Sequence, residues 1–563
     1  MNLLGVATDA EFWKKVKTDD YYKPYRDELL ADWADFCEGR DIPPFKYSEY
    51  KLFWTTGAQK THEQTYFRRR GILNASAILA LIYPEEKKYF EKLEDVIFDL
   101  CNEYTWCLPS HIGAHSEKTT NVADLFASET AFSLAEILVL HKDKLDDFIK
   151  DLVIAEIKRR IIDPTLRLTE GWWWEQRLHN NWLSVCSGSI GCAAMLLFPE
   201  AFEKFKPRID KAMETYIESF LGEGICVEGC AYWDYGFGFF TIYADMLKTY
   251  TEGREDYFKR ADVKAMAAFP QKMFLSGGAA VSFSDMGASF SPSLGIIHYL
   301  KSIYPDSIKL PRTEACTYGI KRWRTSYIIR AVTWADRKYA ELDEIGNSPE
   351  YFYFQKSQWY VNKRVHYGFA AKGGHNKEPH NHNDIGHFIY AKGVKQILVD
   401  LGAGLYDRKY FSAERYTVLE TSSRGHSVPI IDGELQKVGA QYKAENVIAD
   451  EKFFSLDISS AYGNEKINSL TRRFDLRDDG VTLIDKFDFK SDMSVTERFI
   501  SLLEPKLLRE GILEIEGTSL LYDADMCTLS ISREASPQNE CYAVDFSVKP
   551  GVREFKLEIK EKI

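Results

Sequence analysis

The segment Ser469–Phe489 reads SLTRRFDLRDDGVTLIDKFDF and decides how the C-terminal half of the chain folds. Two runs in which apolar and polar residues alternate flank the sequence RDDG at Arg477–Gly480. Because side chains on a strand point alternately to opposite faces, this period of two predicts two β-strands. The Asp-Gly pair supplies the positive φ values that tight hairpin turns need. The segment therefore predicts an antiparallel β-hairpin.

The same period of two extends through the chain after about Glu350, in VHYGFAAK, HFIYAKGVKQILVDLG, FFSLDISSAY and VREFKLEIK. From about Asp19 to Arg330, apolar residues recur instead at three- and four-residue steps, as in LDDFIKDLV at Leu145–Val153. Many helices of modest length indicate a helical array or toroid, and strands separated by turn signals indicate a sandwich. We therefore predict a multidomain α plus β chain, with a helical (α/α) toroid at 1–335 and an antiparallel β-sandwich at 345–563.

Length and charge limit the class of protein. A chain of 563 residues is too long for one compact core, and 45% hydrophobic with 28% charged residues is ordinary for globular proteins. The net charge of −12, without a block of Lys and Arg, argues against nucleic acid as a partner. The sequence has no apolar stretch long enough to span a bilayer, which argues against a membrane partner.

Cysteine usage and the N-terminus indicate the compartment. The ten cysteines are scattered without a CxxC pair, which is typical of reduced, intracellular proteins and argues against a thiolate zinc site. The first twenty residues lack the basic and long apolar regions of a secretory signal. We therefore expect a cytoplasmic protein, or a periplasmic or secreted one if a signal was removed. The sequence carries no indication of oligomeric state.

Histidines concentrate in one part of the chain. Five of the twelve lie in residues 366–387, where the core HNHNDIGHF begins at His380. On a strand, His380 and His382 point to the same face. Together with Asp400 and His426 further along, His382 would form a two-histidine, one-carboxylate set suited to zinc or a similar divalent ion. The alternative is that Asp400 only ends a buried strand and His426 caps a loop.

Aromatic and polar residues stand side by side in two segments of the helical half. These are WWWEQRLHNNW at Trp172–Trp182 and EGCAYWDYG at Glu228–Gly236. Polar amides beside several tryptophans are costly to bury unpaired, so an open, aromatic-lined cleft accounts for them. A third stretch, from Trp106 to His115, either lines the same cleft or is an ordinary interhelical loop.

These features together resemble the heparinase II/III-like polysaccharide lyases. The resemblance rests on HNHNDIGHF, the later Asp400 and His426, and the motifs NNW and EGxxYWxYG, which span most of the chain in the family's order. It implies an N-terminal (α/α) toroid joined to C-terminal antiparallel β-sandwich sheets. It also implies cleavage of a uronic-acid-containing glycan by β-elimination, which leaves a 4,5-unsaturated uronate end.

The resemblance assigns roles to the catalytic residues. Tyr232 matches the catalytic tyrosine, which serves as acid and, for some stereochemistries, also as base. His380 matches the histidine that assists as base or as neutraliser. Asn181, with Asn180 beside it, occupies the position that neutralises the substrate carboxylate. Several relatives have histidine at the position of Asn181, and because asparagine cannot act as a base, base duty would shift to Tyr232 or His380.

The resemblance also implies one divalent ion and an aromatic substrate site. His382, Asp400 and His426 match the family's ion site, where we expect a structural and positioning role. Zinc is expected ahead of manganese or calcium because two ligands are imidazoles. Tyr235 is the rival of Tyr232 for the tyrosine role. The residues predicted to contact the substrate are Trp106, Trp174, Trp182, Tyr235, Tyr410 and Tyr416.

Several alternatives stay open. A glycosaminoglycan such as heparan sulfate, hyaluronan or chondroitin is expected ahead of alginate as the substrate. An (α/α)-toroid glycoside hydrolase is a second alternative, which would need two carboxylates flanking the bond. Its candidate carboxylates form no clear pair in the sequence: Asp124, Glu175, Glu228 and Asp234. A non-catalytic glycan-binding protein is the third, and the presence of Tyr232 together with His380 argues against it.

Overall fold

A computed structural model describes residues 2–37, 39–112, 122–275, 278–287, 289–318, 322–345 and 349–561. Contacts between residues divide the chain into two compact units. The helical unit comprises 1–222, 232–267 and 291–342, and the β unit comprises 223–231, 268–290 and 343–563. The domains predicted from the sequence are contiguous, whereas each of these units is built from three segments of chain.

Helices make up most of the regular structure before residue 335. In chain order they are α1 Ala10–Thr18, α2 Lys23–Phe36, α3 Tyr47–Tyr50, α4 Leu52–Thr56, α5 Lys60–Ile82, α6 Lys87–Cys101, α7 Leu125–Leu140, α8 Asp147–Ile157, α9 Asp163–Arg167, α10 Trp173–Arg177, α11 Asn181–Leu197, α12 Pro199–Glu218, α13 Cys230–Tyr250, α14 Ala261–Ala267, α15 Phe269–Met273, α16 Leu294–Ile303 and α17 Thr325–Thr333. Of these, α15 lies in the β unit.

The helices of the helical unit are of two kinds. Helices α5, α7 and α11 are buried on nearly all sides over much of their length. Helix α6 instead buries one stripe that includes Leu93, Ile97 and Leu100, the spacing of an amphipathic helix. The buried α5 packs on α6, and the buried α11 packs on both α7 and α12. Among the helices of the described residues, none has the length and apolar composition needed to cross a membrane.

The β unit consists of antiparallel strands. They are β1 Glu350–Phe354, β2 Trp359–Lys363, β3 Gly368–Lys372, β4 His375–Asn376, β5 Phe388–Lys392, β6 Lys395–Leu398, β7 Pro429–Ile431, β8 Gly439–Lys443, β9 Glu445–Ala449, β10 Phe453–Asp457, β11 Ile467–Arg477, β12 Gly480–Phe489, β13 Val495–Ser501, β14 Lys506–Arg509, β15 Ile512–Ile515, β16 Thr518–Tyr522, β17 Cys527–Ala535, β18 Glu540–Val548 and β19 Glu554–Glu561. The sheet orders are β1-β2-β3-β5-β6, β14-β15-β16-β19-β12-β11-β10-β9, β17-β18-β13-β7 and β4-β8.

The hairpin predicted at Ser469–Phe489 is confirmed. Strands β11 and β12 pair antiparallel, and the last pair before the turn is Arg477 with Gly480. Gly480 has φ +151°, and a Cβ atom there would lie 1.9 Å from the carbonyl oxygen of Ile559 on β19. Glycine is therefore required both by the turn and by the close approach of the neighbouring strand.

The three larger sheets of the β unit share one aromatic core. Phe388 on β5 lies 5.0 Å from Phe474 on β11 and 6.0 Å from Phe499 on β13, measured between ring centroids. All three rings are fully buried. Because strand side chains alternate between faces, each sheet contributes one apolar face to this core.

One cation lies within this apolar interior. Arg472 on β11 is fully buried and donates from Nε and Nη2 to Asp485, and also from Nη2 to Glu497 at 2.8 Å. Its Nη1 donates to the carbonyl oxygens of Gly386 at 3.0 Å and Ser427 at 2.7 Å. The guanidinium therefore joins the strands to the two loops that carry His382 and His426.

Candidate functional site

Four buried residues of the β unit could hold a metal ion. His382, Asp384, Asp400 and His426 each offer one ligand atom, and these atoms lie within 4.8 Å of one another. Three of the four are the residues that the sequence predicted, brought together from two loops and the end of β6. Asp384 is the addition, and the sequence signal for it was its place inside HNHNDIGHF.

Hydrogen bonds fix which imidazole nitrogens face the centre of this cluster. His382 Nε2 donates to Asp285 at 3.0 Å, and His426 Nε2 donates to the carbonyl oxygen of Glu420 at 2.8 Å. The Nδ1 atoms of both histidines are buried without a hydrogen-bond partner in the described part of the chain. Oδ2 of Asp400 is also buried and lies 3.3 Å from Nε2 of His387, a close contact without hydrogen-bond geometry. Buried polar atoms nearly always have partners. Two imidazole nitrogens and one carboxylate oxygen that lie within 4.8 Å of one another fit a cation.

The charges of the cluster agree with this arrangement. Burial raises the pKa of Asp400, but the nearby imidazoles, His426 first, outweigh it and hold that pKa well below its usual range. Burial lowers the pKa of His426 to about 3, so its imidazole is neutral near pH 7. Ser427 N–H donates to His387 Nδ1 at 2.9 Å, which places the ring proton on Nε2, 3.3 Å from Asp400. His387 therefore supports Asp400 rather than offering a lone pair.

A second carboxylate in the β unit, Asp285, was missed by the sequence analysis. His380 Nδ1 lies 2.6 Å from its Oδ2, and His382 Nε2 lies 3.0 Å from its Oδ1. Burial opposes its ionisation, but these two histidine hydrogen bonds outweigh burial and hold the pKa of Asp285 well below its usual range. Asp285 precedes His380 by 95 residues in a segment without a recognisable motif, so no sequence signal pointed to it.

His380 is held in an uncommon backbone conformation. Its φ of +54° lies in the left-handed region, which non-glycine residues rarely adopt. On the side of its ring away from Asp285, Nε2 lies 3.4 Å from Oε2 of Glu228. A histidine fixed at Nδ1 can donate or accept a proton only at Nε2, so its reactive direction is set.

The two tyrosines predicted to face the substrate differ in their surroundings. Tyr410 is fully buried, and its hydroxyl donates to Asp285. Its prediction as a substrate contact is corrected, because the ring has no exposed face and the hydroxyl is engaged. Tyr416 lies in a short 3-10 helix, Ala413–Thr417, and stays half-buried, which is compatible with the predicted contact.

In the helical unit the predicted asparagines begin α11. The side-chain oxygen of Asn180 accepts the N–H of Trp182 at 3.1 Å, so Asn180 is the N-cap of the helix. Asn181 is buried, and its Cα and Cβ lie so close to Gly236 on α13 that a side chain there would not fit. Ser184 also donates to the carbonyl oxygen of Gly236 at 2.7 Å. The start of α11 therefore packs against α13 at Gly236.

The contacts with Gly236 bring Asn181 and the tyrosine segment of α13 into one region. Tyr232 is half-buried in the first turn of α13, one turn before the contact at Gly236. Tyr235 is buried and donates to Glu129, and Arg324 donates to the same carboxylate at 3.0 Å. The rival tyrosine is thus committed to a buried ion pair, whereas Tyr232 has access to solvent.

Among the predicted tryptophans, two belong to the core and one is accessible. Trp106 and Trp174 are each 1% exposed, and their ring N–H groups donate to backbone carbonyls at 2.9 Å. Their prediction as substrate contacts is corrected, because a satisfied, enclosed ring cannot stack on a sugar. Trp182 is half-buried, with its ring 4.8 Å from His111 and 5.1 Å from Trp173. His115 lies outside the described residues.

His111 is a further polar residue beside this tryptophan. Its Nδ1 lies 2.8 Å from Asp124, whose carboxylate also accepts the N–H groups of Leu108 and Ala127. Since the carboxylate fixes the proton on Nδ1, Nε2 is left as an acceptor. The stretch from Trp106 onward therefore does contribute to the aromatic region, but through His111 and not through Trp106.

The structure was compared with known proteins. No family model matches the sequence, and no curated protein matches it. Several solved structures do match. Heparinase III matches at 12% identity and TM-score 0.61, with 100% of this chain and 87% of that chain covered. A mutant heparan sulfate lyase from Pedobacter heparinus matches at 13% identity and TM-score 0.58, covering 98% and 91%. The chondroitin AC lyase of Streptomyces coelicolor A3, in complex with chondroitin sulphate, matches at 8% identity and TM-score 0.56, with 98% of this chain and 82% of that chain covered. The chain therefore has the fold of the heparinase-like polysaccharide lyases.

Proposed function

We propose that this chain is a polysaccharide lyase that cleaves a uronic-acid-containing glycan by β-elimination. The observation that carries the proposal is the fold, since nearly the whole chain matches solved heparan sulfate and chondroitin lyases. A fold alone does not fix a function, so the site residues of each unit supply separate support. In this proposal the helical unit is an (α/α) toroid and the β unit is built as a sandwich.

The helical unit offers groups for two parts of the reaction. Elimination across C4–C5 removes a proton next to a carboxylate, and the developing negative charge needs stabilisation. Asn181 and Asn180 begin α11, where the amides and the helix N-terminus favour an anion. Tyr232, in the first turn of the adjoining α13, would take the C5 proton or protonate the departing O4.

The β unit offers His380. With Nδ1 committed to Asp285, its Nε2 is the atom that meets the substrate. A neutral imidazole there would act as a base, and an imidazolium would donate to the uronate carboxylate. Both states serve the elimination, and the flanking Glu228 lies within reach of the same nitrogen.

We also propose that one zinc ion binds His382, Asp400 and His426, with Asp384 as the fourth ligand. The support is that Nδ1 of His382, Nδ1 of His426 and Oδ2 of Asp400 are buried without a hydrogen-bond partner in the described residues, and that these residues offer ligand atoms within 4.8 Å of one another. Asp384 lies within the same distance but is paired with Lys372 at 2.8 Å, so it would have to exchange that partner for the ion. Zinc–ligand bonds of about 2.0–2.2 Å place tetrahedral ligand atoms roughly 3.5 Å apart, so atoms now within 4.8 Å of one another would move closer together on binding. Such an ion would supply positive charge between the two histidine loops. His380 lies two residues from the first ligand.

The hydrolase alternative is disfavoured by what its carboxylates contact. Asp124 is taken up by His111 and backbone N–H groups, and Glu175 is paired with Arg208. Asp234 is buried and accepts from both the N–H and the hydroxyl of Ser293. A glycoside hydrolase needs two carboxyl groups directed at one bond. Three of the four candidates are instead used to hold helices and loops.

The test of the proposed function is ultraviolet absorbance during incubation with heparan sulfate, hyaluronan, chondroitin sulfates and alginate. A rise with one polymer is expected, because elimination creates a conjugated C4–C5 double bond, and the polymer that responds identifies the substrate. A rise with alginate alone would move the substrate away from glycosaminoglycans. New reducing ends without a rise in absorbance would establish hydrolysis and refute the lyase proposal.

The zinc proposal has its own test. Protein prepared with zinc should carry one ion per chain by elemental analysis, and His426→Ala should carry none. Trp174 is far from these ligands in the chain, and Trp174→Phe is a matched control that should retain the ion. An equal zinc content in wild type and His426→Ala would refute the assignment.

A further inference from the structure

Five side chains of the β unit donate to the single carboxylate of Asp285. Oδ2 accepts from His380 at 2.6 Å and from Tyr406 at 3.1 Å. Oδ1 accepts from His382 at 3.0 Å and from the hydroxyl of Tyr410. Arg415 Nη2 donates to both oxygens, at 2.9 and 3.0 Å. The four lone-pair directions of a carboxylate are thereby all used.

This arrangement fixes the positions of two histidine rings. The Asp285 side chain is fully buried, and a buried carboxylate is costly unless it is paired and hydrogen-bonded. The two oxygens divide the histidines between them, with His380 on Oδ2 and His382 on Oδ1. One rigid, planar group therefore fixes the relative placement of the two imidazole rings.

The hydrogen bond to His380 also helps to hold a strained backbone conformation. His380 adopts φ +54°, a conformation that costs free energy for a residue with a side chain. Such a conformation persists only where the surrounding contacts hold it. Two contacts hold it here. The His380 side chain is hydrogen-bonded to Asp285, and Arg415 Nε donates to the backbone carbonyl oxygen of the next residue, Asn381, at 3.1 Å.

From this geometry we propose that Asp285 is a positioning residue that sets the direction of His380 and ties it to the metal site through His382. The inference rests on the proposed function for the role of His380, and on the ligand set for the role of His382. In this proposal Asp285 acts through the two imidazole rings and not by binding substrate or ion. It acts by holding Nε2 of His380 in one direction and Nδ1 of His382 in another.

The decisive variant is Asp285→Asn, which keeps the shape but places an NH2 group against donors. The turnover number should fall about 10–100-fold while KM changes little, because the second layer of a site orients groups rather than binding substrate. The affinity for zinc, titrated against a chromophoric chelator, should fall about tenfold or more.

The matched control is Glu561→Gln. Glu561 is also a buried carboxylate of the β unit, and it accepts from Thr518 at 2.8 Å and Tyr390 at 3.1 Å. Its variant should lower the melting temperature and leave turnover and zinc affinity unchanged. A loss of turnover in this control as large as in Asp285→Asn would overturn the inference, since the effect would then be general destabilisation.

A double variant separates positioning from other effects. In a His380→Ala background, Asp285→Asn should cause little further loss of turnover, because its effect passes through the missing ring. An unchanged effect of Asp285→Asn in that background would overturn the inference. If Asp285→Asn does not fold, Tyr406→Phe removes one donor from the same oxygen and should give a smaller loss of the same kind.

Failure of the lyase proposal can be told apart from failure of this inference. If wild type acts on none of the glycans, the proposed function fails, and zinc affinity alone decides the role of Asp285. Weaker zinc binding in Asp285→Asn than in Glu561→Gln would then support the link through His382. Equal zinc binding in the two variants, or none in wild type, would overturn it.

Discussion

Removing the buried guanidinium of Arg472 should destabilise the β unit more than any exposed charge does. In Arg472→Met the aliphatic stem is kept, but Asp485 and Glu497 lose their buried cation. The carbonyl oxygens of Gly386 and Ser427 also lose a donor. Breaking a buried ion pair by deleting one partner costs about 3–5 kcal/mol, because the remaining charge is left uncompensated.

The size of the effect can be converted into a melting temperature. For a unit of about 250 residues, each kcal/mol lowers the transition by roughly 2–4 °C. The expected decrease for Arg472→Met is therefore roughly 6–20 °C. Zinc affinity should also fall, because Gly386 and Ser427 adjoin the loops that carry His382 and His426.

The matched control is the next residue on the same strand. Arg473 points to the opposite face, is 40% exposed, and pairs with Asp475 at 2.7 Å. Exposed pairs contribute at most about 1 kcal/mol, so Arg473→Met should shift the transition by only a few degrees. Both variants are measured by calorimetry beside wild type. Equal shifts for Arg472→Met and Arg473→Met would refute the reasoning that burial sets the cost.

Three further predictions concern the helical unit. Tyr232→Phe should lower turnover about 10²–10⁴-fold on the responding glycan with an unchanged melting temperature, whereas Tyr235→Phe should chiefly lower the melting temperature; the opposite pattern would exchange their roles. Burial raises the pKa of Asp234 to about 6, above the value of about 3.9 in unfolded chains, so its contribution to stability is full below about pH 4 and is lost as the pH rises through 6. The melting temperature of wild type relative to Asp234→Asn should accordingly fall between pH 4 and 6, by the equivalent of about 2 kcal/mol, and a constant difference would contradict the shift. Trp182→Ala should raise KM with little loss of stability, whereas Trp174→Ala should cost about 3–5 kcal/mol in unfolding free energy, and similar KM values for Trp182→Ala and wild type would remove that ring from the substrate site.

Local patterns predicted the elements of this fold well. The hairpin of β11 and β12 follows from alternation and an Asp-Gly turn, both of which are encoded within 21 residues. The grouping of His382, Asp400 and His426 was predictable because all three are residue types that bind zinc and lie near strands, while their binding of an ion stays a prediction.

Other parts of the site depend on contacts that the sequence does not display. Asp285 meets His380 from 95 residues away, and an isolated aspartate in a loop gives no periodicity to detect. Trp106 and Trp174 were expected in a cleft because polar neighbours surround them, yet backbone carbonyls satisfy their N–H groups inside the core. Whether an aromatic ring is enclosed or open is decided by tertiary packing, as the half-buried Trp182 shows.

The three-segment composition of the β unit has a consequence for how the chain is made. Residues 223–231 and 268–290, which carry Glu228 and Asp285, leave the ribosome long before the strands they belong with. Those strands begin only at Glu350. The two early segments therefore cannot make their native contacts until most of the β unit has been synthesised. A fragment starting at residue 343 would lack the carboxylate that accepts from His380 and His382. The two histidines therefore cannot be obtained in their native setting from the C-terminal half alone, and truncations of this protein must keep both early segments.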